Sequence, residues 1–203
     1  MYRTMAISVL TFALPFAVHA FDGHREGFLL SIGLGGGQRT IEESISPSDT
    51  PNLTNPIKTT DPVTAYEVKI SYGLSNCLIV GLNFNNTNGN YTSILSENSG
   101  STASFDIAGL GLTYFFADRS PSFFVEAVFG MAGWQYDVDD GREIPLVSTG
   151  MALGLGYEFR KNWTWEIDAG WGSPKETTGI FKQLVGRQIK GFKLNFTAHH
   201  IWY

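Results

Sequence analysis

Eight ionisable residues share an unusual setting. Glu67, Lys69, Glu126, Glu158, Glu166, Asp168, Lys193 and His199 each lie on the face of an alternating run that carries small or polar residues, while the bulky side chains take the other face. Carboxylates beside an amine or an imidazole can form ion pairs, relay protons, or act as acid and base. Acids outnumber bases: Glu67, Glu126, Glu158, Glu166 and Asp168 face Lys69, with Lys193 farther along and Arg160 nearer a turn. Buried charges persist when they are paired, so the set predicts a salt-bridged, hydrogen-bonded plug. A gated or proton-sensitive path is the sharper alternative.

Other chemistry finds less support. Nucleophilic catalysis needs a serine, a histidine and an acid in register. His199 and His200 are followed by Ile201, Trp202 and Tyr203, with no serine two positions away, so spacing assembles no such set. No enzymatic activity is expected. No metal or other cofactor is expected either: Cys77 is the only cysteine, and adjacent histidines on a strand face opposite ways. The glycine run Gly33–Gly37 lacks the Lys-Ser/Thr and the helix of a phosphate loop. Asp137–Glu143 departs from the spacing of a calcium loop.

The elements that position these residues are strands. Bulky and small residues alternate with period two along the chain. One face presents Phe28, Leu30, Ile32 and Leu34, then Tyr66, Val68, Ile70 and Tyr72, then Leu78, Val80, Leu82 and Phe84. It continues with Ala108, Leu110, Leu112 and Tyr114, then Phe123, Val125, Ala127, Phe129 and Met131. Met151–Phe159, Trp163–Trp171 and Phe192–Trp202 complete the series. Eight strands of about 9–11 residues result, the length that crosses a bilayer at a tilt. Short turns at Gly73–Asn76, Ala117–Ser122 and Arg160–Asn162 alternate with long polar connections at Gln38–Val63, Asn86–Phe105, Trp134–Val147 and Ser173–Ile189.

Barrel size decides which face is out. An eight-stranded barrel has an interior just filled by side chains. Gly33, Gly35, Gly81, Gly109, Gly111, Gly130, Gly154, Gly156 and Gly170 all share the face of the ionisable residues, which makes that face the inside. The bulky face then meets lipid. Tyr72, Tyr114, Phe123, Phe159, Trp163 and Trp202 fall at one rim and Trp171 at the other, where aromatic girdles belong. A lipocalin-like soluble barrel would invert the arrangement, with glycines alternating among charges on its solvent face. His200 falls on the bulky face, so the facing of the last residues of strand eight stays open. The fold expected is all-β: an eight-stranded antiparallel up-and-down transmembrane barrel.

Composition agrees. Formal charge is −5, which gives no reason to expect nucleic acid as a partner, and charged residues are only 16% of the chain. Arg3, the apolar run Met5–Phe16 and the small residues at Val18 and Ala20 read as a signal peptide spanning residues 1–20, leaving residues 21–203 as one barrel domain.

The segments "GFLLSIGLGGG", "SYGLSNCLIVGLNF" and "LGLGYEFRKNWTWEIDAGW" are similar to strands of the small eight-stranded outer-membrane β-barrels of Gram-negative bacteria, the OmpA-type transmembrane domain and its porin-like relatives. The resemblance implies an outer-membrane location, short turns in the periplasm and long loops outside. It implies contact with outer-membrane lipid and lipopolysaccharide. It also implies recognition of the C-terminal strand, ending in Tyr203, by the barrel-assembly machinery. Loops on a rigid scaffold commonly carry recognition, so residues 38–63 and 173–189 are the expected contact surfaces. The roles expected are envelope integrity or surface interaction, then a narrow channel, then a lipid-modifying enzyme.

Overall fold

A computed structural model describes residues 25–44, 56–91, 101–136, 146–174 and 188–203. Eight strands form one closed antiparallel barrel in chain order. They are β1 (Gly27–Ser44), β2 (Ile57–Gly73), β3 (Leu78–Tyr91), β4 (Ser101–Phe115), β5 (Ser122–Tyr136), β6 (Leu146–Arg160), β7 (Trp163–Gly172) and β8 (Gln188–Trp202). β1 closes on β8 from Leu30 opposite Trp202 to Ser44 opposite Gln188. Closure gives every strand two neighbours, so no row of backbone groups is left unpaired for hydrocarbon to meet.

The bulky face is outward on every strand. Leu34, Leu82, Leu110, Phe129, Leu155, Ile167 and Phe196 are exposed in the middle of their strands, while Glu67, Asn83, Glu126, Glu166, Asp168 and Thr197 are buried. The girdle residues Tyr72, Tyr114, Phe123, Phe159 and Trp163 are exposed as well, and Trp171 and Trp202 are half-exposed. Rings at the short-turn end touch in series: Tyr114 with Phe116, Phe123 with Tyr157, and Phe159 with Trp165. Toward the long connections the outward residues turn polar. Asp106 accepts from Asn86 and Ser104 on one side of the wall, and Lys190 pairs with Glu42 at 3.3 Å on another.

Most strands run longer than the alternation indicated. β1 has 18 residues and β2 has 17, so much of the expected first loop, Gln38–Val63, is paired strand. The reason lies in the outward residues beyond Gly36, which are Gln38, Thr40 and Glu42. Facing water rather than lipid, they erase the bulky stripe while the hydrogen-bonded ladder continues. The same extension carries β3 to Tyr91 and β4 back to Ser101.

Strand eight keeps its register to the end. His200 stays outward, its ring between Trp163 and Trp202 at centroid distances of 4.8 and 4.4 Å. An imidazole flanked by two indoles is tolerable at the interface depth where Trp belongs. The irregularity occurs instead between Glu158 and Arg160, where β6 shifts against β7 before the Lys161–Asn162 turn. Asn162 adopts φ 74°, a conformation Asn tolerates, and its side chain donates to the Ile201 carbonyl at 2.6 Å.

Candidate functional site

The inward residues form three layers. In the middle, Lys69 on β2 reaches across the barrel. Its Nζ donates to both oxygens of Glu126 on β5 at 2.9 and 2.8 Å and to Glu166 Oε2 on β7 at 2.7 Å. Glu67 Oε1, two residues back on β2, lies 3.5 Å away. Glu126 also accepts from Asn83 at 2.6 Å and from Thr113 at 2.7 Å. His199 on β8 places Nε2 2.7 Å from the Thr197 hydroxyl, 3.2 Å from Glu67 Oε2 and 3.6 Å from Glu166 Oε2. Its Nδ1 faces Ser31 Oγ at 3.3 Å.

Lys193 and Asp168 lie one step toward the long connections. Lys193 donates to the backbone and side-chain oxygens of Asn85 at 2.9 and 2.7 Å. Asp168 accepts from Asn85 at 3.0 Å and Asn195 at 3.2 Å. Two glycines make room for the larger groups. A Cβ at Gly33 would overlap the His199 imidazole, and one at Gly154 would overlap Glu166 Oε1. The glycines noted in the sequence are therefore sockets for particular neighbours as well as a way of keeping the interior small.

Apolar layers cap this network on both sides. Toward the long connections, Ile41, Phe105, Ile107, Val128, Trp134 and Leu146 pack together. Toward the short turns, Leu29, Ile79, Phe115, Phe124, Ile201 and Tyr203 do so. Large aromatics also point inward, beside the glycines and ionisable groups that the alternation placed there. Two of them face glycine directly: the Phe124 ring occupies the space a Cβ on Gly156 would need, and the Phe105 ring that of Gly191.

Glu158 stands apart from the central network. Arg25, just before β1, pairs with it, and the Tyr203 hydroxyl donates to its other oxygen. The same guanidinium donates to the carbonyls of Asn76 at 2.8 Å and Ala117 at 2.7 Å and lies 3.9 Å from the Phe115 ring centroid. One arginine thus ties the β2–β3 turn, the β4–β5 turn, β6 and the C-terminal residue together. Burial and the neighbouring Glu158 carboxylate both push the Tyr203 phenol above its ordinary pKa. Sequence reading missed this clasp because Arg25 precedes the first alternating residue, and Tyr203 follows the last.

The structure also brings together a serine, a histidine and an acid that strand spacing had not assembled: Ser31, His199 and Glu67, contributed by β1, β8 and β2. Register across the β1–β8 seam unites them, which no single-strand spacing can show. All three are buried. The adjoining cavity, lined by Ser31, Lys69, Glu126, Glu166 and His199, measures about 40 Å³, room for a few waters rather than the hundreds of cubic ångströms a substrate pocket needs. Asp137–Glu143 and the residues 175–187 of the fourth long connection lie outside the described residues.

Among solved structures, the barrel is similar to Neisserial surface protein A, with 12% identity and a TM-score of 0.51 over 86% of this chain and 97% of that one. It is also similar to Ail of Yersinia pestis, with 14% identity and a TM-score of 0.49 over 86% and 99%. OprG of Pseudomonas aeruginosa gives 10% identity and a TM-score of 0.47 over 90% and 99%. At 12% identity the likeness to Neisserial surface protein A shows a shared fold alone. No curated protein matches the sequence. The family model described as outer membrane protein beta-barrel domain matches residues 8–198, so the chain belongs to that family and is a protein of the bacterial outer membrane.

Proposed function

We propose that the chain is a sealed, non-enzymatic barrel that holds its long connections rigidly at the cell surface, in envelope integrity or surface interaction. The observation that carries this reading is the layered interior: an ion network of four strands enclosed between two apolar layers. A water-filled pore has a continuous polar wall; here the buried rings of Trp134 and Phe105 on one side, and of Phe115 and Phe124 on the other, interrupt the polar lining. The Ser31–His199–Glu67 arrangement supports no reaction, because no substrate reaches it.

In this reading, residues 1–20 are a cleaved signal, the short turns face the periplasm and the long connections face outward, next to lipopolysaccharide. β8, with its terminal aromatic, is the segment presented to the assembly machinery. Planar-bilayer recording of the refolded protein tests the reading. Sealing predicts no stepwise conductance above the lipid baseline, whereas steady single-channel steps that Trp134→Ala enlarges would establish a channel. Ser31→Ala is expected to leave the lipid A mass profile of intact cells unchanged, and a shift in that profile would establish an enzyme.

A further inference from the structure

Glu67 from β2, Glu166 from β7 and His199 from β8 turn donor atoms toward one another, each pair within 4.8 Å. We propose that these three residues bind a divalent transition ion of the zinc class inside the barrel, a site the sequence had given no reason to expect.

Geometry supports it first. His199 Nε2 is 3.2 Å from Glu67 Oε2 and 3.6 Å from Glu166 Oε2. Ligand atoms at the corners of a tetrahedron with bonds near 2.0–2.1 Å are about 3.3 Å apart. The imidazole is already oriented to ligate through Nε2. In the tautomer with its proton on Nδ1, the imidazole donates to Ser31 Oγ at 3.3 Å, which leaves the Nε2 lone pair for the ion. When the ion binds, the Thr197 hydroxyl yields Nε2 to it.

Hydrogen bonding supports it independently. Glu67 Oε2 and Glu166 Oε1 are fully buried and accept no hydrogen bond. Both residues are almost completely shielded, at 2% and 1% exposure. A buried carboxylate oxygen without a donor is costly, and a bound cation removes that cost. Glu166 Oε2 holds Lys69, while Oε1 lies beside Gly154, where a Cβ would overlap it.

Charge supports it third. Three carboxylates, Glu67, Glu126 and Glu166, surround the single ammonium of Lys69. With His199 neutral and all three carboxylates ionised, as ligation requires, this cluster carries two uncompensated negative charges in a low-dielectric interior. One divalent ion cancels them. Lys69 Nζ sits on Glu166 Oε2 as well as on both Glu126 oxygens, so when the ion binds, Lys69 keeps Glu126 and yields Glu166 to it.

The apolar layers on either side bar later entry, so the ion is taken up as the barrel closes. The test refolds the full chain from urea into detergent with zinc, removes loose metal on a chelating column and measures zinc per folded chain. About one equivalent is expected in the wild type and in Glu158→Gln, and less than about a tenth in Glu67→Gln and His199→Ala. Cobalt in place of zinc should give the visible absorption of a tetrahedral nitrogen–oxygen site, absent in His199→Ala. Folded wild type, judged by heat-modifiable gel mobility, that retains less than about a tenth of an equivalent would overturn the proposal whatever the variants do. Equal retention in wild type, Glu67→Gln and His199→Ala would overturn it too, by placing the metal elsewhere.

Discussion

Replacing Lys69 with methionine removes one charge and nearly nothing else, since the two side chains have similar length and shape. The loss is concentrated. Lys69 Nζ lies within 2.9 Å of both Glu126 oxygens and 2.7 Å from Glu166 Oε2, and its side chain is 12% exposed. Without it, Glu67, Glu126 and Glu166 share a small buried volume with no ammonium among them. Breaking a buried pair by removing one partner costs about 3–5 kcal/mol, chiefly because the other charge is left stranded. Lys69→Met should therefore lose about that much in urea unfolding of the barrel in lipid vesicles, followed by gel mobility without heating. Lys69→Met combined with Glu126→Gln removes one of the opposing charges as well and should recover about half of the loss, since Glu126 is then no longer stranded while Glu67 and Glu166 still are. If Lys69→Met unfolds within about 1 kcal/mol of wild type, or if the second substitution recovers nothing, the network is not the stabilising plug described.

Three further outcomes follow from the same geometry. Gly33→Val places a branched side chain in the His199 socket and should destabilise the barrel by about 1–3 kcal/mol in the same assay, while Gly36→Val, outward on the same strand and meeting only the Val63 carbonyl at 3.3 Å, should cost less. Tyr203→Phe removes a hydrogen bond to an ionised carboxylate and should cost about 1.5–3 kcal/mol, with Arg25→Met costing at least as much through the four groups it ties. Because the Tyr203 pKa is raised in the folded barrel, the stability that phenol contributes is whole below the unfolded value near 10 and falls as pH rises above it, so wild type and Tyr203→Phe should converge in strongly alkaline urea titrations.

How far the sequence could be read depended on whether neighbours along the chain were also neighbours in space. Alternation along a strand is local, and it is visible in residues such as Phe123 to Met131, so strand number and facing were legible. The long-connection ends of β1 and β2 were not, because Gln38, Thr40 and Glu42 face water and look like loop. Among the eight ionisable residues read from the sequence, seven gather near the middle of the interior, and Glu158 pairs at the short-turn end with a residue that lies outside every alternating run. The Lys69 contacts join β2 to β5 and β7, and the Ser31–His199 contact crosses the closing seam. Such pairings depend on the stagger of the whole barrel, which no single strand encodes. Phe105 and Phe124 were passed over for a different reason: an inward aromatic fits where a glycine faces it, and that partner belongs to another strand.

The inversion of bulky and small faces underlies everything else, and a nitroxide scan along β5 tests it most directly. In a Cys77→Ser background, single cysteines at positions 125 to 132 are labelled in vesicles, and collision with dissolved oxygen, which concentrates in hydrocarbon, is measured at each. Maxima are expected at Val125, Ala127, Phe129 and Met131, with minima at Glu126, Val128, Gly130 and Ala132. A flat profile, or maxima at the even positions, would contradict the account at its root.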